Sequence, residues 1–199
     1  MIDIKFPELP SSQDKLFTSA ENWWNNACLN FFPKGWTIYG IGYKDAADIL
    51  VEHIAKTKRQ QDTLIYPIIF LYRQYLELAL KDLILEARKL LDYADPLPKT
   101  HRIDDLWRLC DDLLEQISPG DSLEPRENIG RLIEEFAQVD PLSQSFRYPE
   151  GKDGKPTLPG LTHINLRNVR EVIGKISVLL DGADAMISEY LSHKSEMRP

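Results

Sequence analysis

Apolar residues between positions 64 and 91 recur at Ile65, Ile68, Tyr72, Tyr75, Leu76, Ala79, Leu83, Ala87 and Leu90. Steps of three and four sustained over roughly seven turns predict one long helix. Leu64, Leu71, Leu78 and Leu85 repeat every seven residues on another flank, so this helix is expected to be covered from two sides. A narrow polar strip of Arg73, Glu77, Lys81 and Arg88 lies between the stripes. Pro67 lacks the N–H that a helix interior uses, which places the expected start of the regular helix between Thr63 and Pro67.

The same spacing predicts the other elements. Residues 1–11 contain prolines and no period, and read as an extended arm. Ser11 or Ser12 is placed to cap a helix carrying Leu16, Phe17, Ala20, Trp23, Trp24 and Ala27 on one side. Its paired tryptophans read as core rather than as a stacking platform for a ligand. After a break at 31–35, Trp36, Tyr39, Tyr43, Ala46, Ala47, Leu50 and Ile54 resume the helical phase. Two prolines end the long helix near residue 98, and the chain must turn back. Thr100 is placed to cap a helix with Ile103, Leu106, Trp107, Cys110, Leu113, Leu114 and Ile117 in phase, and Asp104 and Asp105 in its first turn. Ser118-Pro-Gly120 stops it. Another helix fits Ile129, Leu132, Ile133, Phe136 and Val139, with Pro125 near its start and Asp140-Pro141 past its end. Residues 141–162 hold four prolines and three glycines without periodicity, a long loop of the kind that is either functional or disordered. A last long helix runs from Leu166 to Tyr190, with Gly174 and Gly182 as its weak points. The chain therefore reads as all-α, one domain over 1–199, a bundle of five to six helices with two long ones.

Composition narrows the class. With 199 residues, 43% of them hydrophobic and 28% charged, one sizeable core is expected. A net charge of -7 argues against non-specific DNA binding through overall charge. The N-terminal segment lacks the pattern of a secretory signal, and no apolar run is long enough for a bilayer, so a cytoplasmic, membrane-free protein is expected. Cys28 and Cys110 have no metal-ligand spacing and read as reduced thiols.

Candidate chemistry is confined to a few residues. His53, His101, His163 and His193 show no i, i+4 pairing, so neither a metal nor a cofactor is expected. Arg73 and Glu77 stand one turn apart on an apolar stretch of helix and require partners. They read either as an ion pair that fixes packing, extended to Lys81 or to Arg147 from the loop, or as catalytic groups. His101 opens its helix after a turn, where an imidazole can serve as acid or base, or can simply cap or pack. Arg147 and Tyr148, with Lys81, are the candidates for holding a phosphate or other ligand. The plainer reading of Arg147 and Tyr148 is that they pin the loop.

The stretches Tyr43-Lys-Asp-Ala-Ala-Asp-Ile-Leu50, Tyr66-Pro-Ile-Ile-Phe-Leu-Tyr-Arg-Gln-Tyr-Leu-Glu-Leu-Ala-Leu-Lys81 and Lys99-Thr-His-Arg-Ile-Asp-Asp-Leu106 resemble the HEPN superfamily of prokaryotic helical proteins over roughly residues 36–117. The resemblance implies a helical bundle that commonly forms homodimers and, in active members, cleaves RNA without a metal. That activity is associated with an Arg followed after four to six residues by a His. No histidine of this chain has an Arg so placed: His101 is followed by Arg102, and the nearest upstream Arg is Arg88. Two readings follow. One is a non-catalytic, homodimeric HEPN-like module binding a protein or RNA partner in bacterial stress or phage defence. The other is a toxin-like endoribonuclease with a rearranged site, in which His101 exchanges protons and Arg73 or Arg147 steadies the phosphate.

Overall fold

The computed structural model describes residues 9–29, 35–120 and 123–197, and the chain divides into two compact units, Met1–Lys34 and Gly35–Pro199. The first unit does not contain the helix expected from Leu16 to Ala27. Among its described residues the regular structure is a single 3-10 turn, Trp23–Asn25, started by the Asn22 side chain accepting from the Trp24 N–H. Ser11 accepts the Gln13 N–H in a local turn instead of capping a helix. Trp23 and Trp24 are exposed rather than core residues. Apolar residues at helical spacing yield a helix only where something buries their face, because a short isolated helix is marginal in water. The expected arm and the break at 31–35 fall mostly outside the described residues.

The second unit is an all-helical bundle: α1 (Trp36–Thr57), α2 (Gln61–Leu90), α3 (Ile103–Ile117), α4 (Leu123–Val139) and α5 (Leu166–Glu196). Lys58 and Gln60, both in the left-handed region, reverse the chain within three residues, so α1 and α2 run antiparallel. Gly40 of α1 comes to rest against Tyr75 and Leu78. From Leu91 to Arg102 the chain returns along α2. Consequently α3 starts level with Glu77 and ends level with Tyr93, whose hydroxyl donates to Gln116 Oε1 at 2.6 Å. α4 folds back on α3, where Arg126 bonds Asp111 and Glu115. α5 runs in the direction of α2, with Lys194 Nζ donating to the Leu90 carbonyl at 2.6 Å.

α2 is the axis of this unit. Ile68, Tyr72, Leu76, Leu80 and Ile84 lose essentially all access to solvent, at about 1.5–3 kcal/mol of transfer free energy for each aliphatic side chain. The second leucine seam is covered at Leu78 and half-buried at Leu64, Leu71 and Leu85. The helix begins at Gln61, earlier than the proline suggested, and Pro67 sits in its second turn. Thr63 and Pro67 are exposed there, so water can take the Thr63 carbonyl that Pro67 leaves without a donor. Thr100 does not cap α3. Its Oγ1 accepts the Arg102 N–H at 3.1 Å, and Arg102 occupies the cap position with no side-chain bond of its own.

Candidate functional site

Arg73, Glu77 and Lys81 are four residues apart, which stacks them on one face of α2. Glu77 is the middle member. Its Oε2 accepts from Arg73 Nη1 at 3.4 Å, and its Oε1 accepts from Lys81 Nζ at 2.7 Å and from His101 Nδ1 at 2.8 Å. The side chains of Arg73 and Glu77 are 0% and 2% exposed, whereas that of His101 is 71% exposed. Charges so enclosed persist only when each has partners, since removing them from water is costly.

Arg73 finds its partners on three elements. Besides Glu77, its Nη2 donates to the His101 carbonyl, just before α3, and its Nε to the Asp140 carbonyl, just after α4, at 3.3 Å. One guanidinium thus joins α2, the start of α3 and the end of α4. Burial lowers its pKa, and Glu77, Asp140 and Asp104 oppose that shift. Asp140 in turn caps the following turn, its Oδ1 accepting from the Gln144 and Ser145 N–H groups at 2.7 and 3.0 Å. At the other end of the row, the Lys81 ammonium lies 5.8 Å from the centre of the Trp36 ring, a cation held against an aromatic face. Arg102 and Arg108 pair with Asp104 and Asp105 in the first turn of α3. Burial pushes the Asp104 carboxyl upward, but the Arg102 bond and the nearby N–H groups outweigh it and leave its pKa lowered.

The residues singled out in the sequence divide into two groups. Arg73, Glu77, Lys81 and His101 come together. Arg147 and Tyr148 do not join them: the Arg147 guanidinium lies 5.6 Å from the Phe70 ring and 5.1 Å from the Tyr148 ring, with Nη2 donating to the Tyr148 hydroxyl at 3.2 Å. The reason is the loop, which is anchored by buried Phe146 and by Thr157 Oγ1 donating to the Ser145 and Tyr148 carbonyls. It sets Arg147 at Phe70, almost two turns of α2 before Glu77. Asp140, Phe70 and Trp36 were not picked out beforehand. Two of the contacts on Arg73 are backbone carbonyls, which leave no trace in side-chain identity.

Chemically, a carboxylate that accepts from Nδ1 leaves Nε2 of His101 as the ring nitrogen facing water, able to exchange a proton. Arg73 and Lys81, which share Glu77 with His101, and the adjacent Arg102 are each already engaged by carboxylates or carbonyls. The other histidines lie elsewhere: His53 contacts Gln60, His163 contacts Thr162 and His193 approaches Glu189. Among the described residues no group of three or more His, Cys, Asp and Glu side chains is arranged to hold a metal ion, and no helix is long and apolar enough to cross a membrane. No family model, curated protein or solved structure matches the chain.

Proposed function

We propose that this chain is a non-catalytic, HEPN-like helical module, cytoplasmic and homodimeric, that engages a protein or RNA partner in bacterial stress or phage defence. The observation that carries this reading is the use made of the charges on α2. Arg73, Glu77 and Lys81 are buried and bonded to one another and to the ends of α3 and α4, so their hydrogen-bonding capacity goes into holding the bundle. A surface for a partner is available on α1, whose outward side exposes Ile38, Ile41 and Ile49. Exposed aliphatics grouped on one helix are the material of protein interfaces. Light scattering on the purified chain should give twice the 23.0 kDa chain mass, and Ile38→Glu with Ile49→Glu should return it to one. A parent that stays monomeric at high concentration would remove the dimer from this reading.

The ribonuclease reading draws support from one feature, the exposed His101 imidazole supported by buried Glu77. It expects His101→Ala to abolish metal-independent RNA degradation. The module reading expects the purified parent and the variant to leave RNA equally intact.

A further inference from the structure

The loop places one cation in a setting unlike those on α2. Arg147 makes no ion pair among the described residues, in a chain with 31 acidic side chains. Its guanidinium is instead held against two rings, Phe70 and Tyr148. A guanidinium engaged by aromatic rings rather than by a carboxylate keeps most of its N–H donors available for two-pronged capture of a phosphate. Among the described residues one of its five donors is spent, on the Tyr148 hydroxyl.

The surroundings supply aromatic surface as well. Tyr148 is 52% exposed, and Tyr66, one turn before Phe70 on the same face of α2, is 49% exposed. The position is built rather than incidental, because buried Phe146 and the two carbonyl bonds of Thr157 fix the backbone on either side of Arg147. A fixed, unpaired guanidinium beside open phenol rings matches a ligand that carries a phosphate next to a flat aromatic group, since bases stack on such rings irrespective of sequence.

We infer that the Arg147 corner, with Tyr148 and Tyr66, is a binding site for a phosphate ester of a nucleobase: a free nucleotide or the phosphorylated end of a single strand. The inference builds on the partner-binding reading above and narrows its partner. It uses none of the outward face of α1, so a monomeric protein would fail the dimer and leave nucleotide binding intact. A single gripping cation also suits the net charge of -7, because it asks for a local contact and not for a basic field.

Calorimetric titration of the full chain with uridine 5′-monophosphate, with 5′-phosphorylated octauridylate and with uridine tests this site. Both phosphorylated probes should bind and uridine should not. Equal affinity for the two identifies a free nucleotide, and a much tighter octamer identifies a strand. Arg147→Met keeps an apolar side chain of similar reach while removing the guanidinium that lies over Phe70. It should weaken the octamer at least tenfold and lessen the slope of log affinity against log salt by about 0.7, one phosphate contact on a single strand. Tyr148→Leu should weaken the same probe without changing that slope. On the parent protein, the octamer should shield Arg147 from phenylglyoxal, a measurement that needs no variant to fold. Unshielded Arg147, unchanged affinity in Arg147→Met, or tighter binding of a tyrosine-phosphorylated peptide than of either nucleotide probe would overturn the proposal.

Discussion

At the scale of single residues, environment decides what each ionisable group does. Asp184 on α5 is raised by burial first, then by the neighbouring carboxylates Asp82, Glu86 and Asp181. A carboxyl raised in the folded state holds its proton more tightly there. Its contribution is therefore fully present below its unfolded value of 3.8 and is lost as pH rises through the higher folded value. Asp184→Asn should accordingly raise the melting temperature at neutral pH and leave it unchanged near about pH 3, where the parent is protonated in both states. A variant that melts lower at neutral pH would reverse the assignment. Burial also pushes the Cys110 thiol up to about 12, while Cys28 is exposed. A thiol reagent at about pH 8 should therefore modify one cysteine in the native chain and both after denaturation, because the thiolate is the reactive form.

Among the elements, three glycines in helices separate intrinsic propensity from packing. An alanine is favoured over glycine by up to about 1 kcal/mol in a helix interior. At Gly174 and Gly182 of α5 an added Cβ meets nothing within 4 Å, so Ala at either position should raise the denaturation midpoint. At Gly130 of α4 the added Cβ would lie 2.8 Å from Nε1 of Trp107, a ring buried between helices that cannot swing aside cheaply. Gly130→Ala should therefore destabilise despite its better propensity, and a raised midpoint there would show that α3 and α4 pack differently. The sequence carried the positions of α1 to α5 well, because each has a covered face whose period survives in the residue order. It misled between Leu16 and Ala27, where the period is present but the tryptophans stay exposed. Thr100 likewise looked like a cap and proved to be the acceptor in a turn one step earlier.

In the Gly35–Pro199 bundle as a whole, the row of charges on α2 is a place where three elements are tied. Half of that was legible beforehand. The four-residue spacing of Arg73, Glu77 and Lys81 put them on one face, and the apolar surroundings implied partners. What could not be read was which partners, since the His101 and Asp140 carbonyls reach Arg73 across 28 and 67 residues of chain. The separation of Arg147 from this row depends on the course of a loop that has no period to read. Leu76, fully buried on the apolar side of α2, tests the packing half of the picture. Leu76→Asp should cost several kcal/mol, since it encloses an unpaired carboxylate, and a melting temperature within a few degrees of the parent would contradict the burial of that face. Glu77 tests the other half most directly, as the acceptor shared by Arg73, Lys81 and His101. Chemical denaturation of Glu77→Ala should show a loss of about 3–5 kcal/mol, the cost of leaving buried cations without their counter-charge. Stability within about 0.5 kcal/mol of the parent, the range of an ordinary surface substitution, would show that the row does not hold the bundle together.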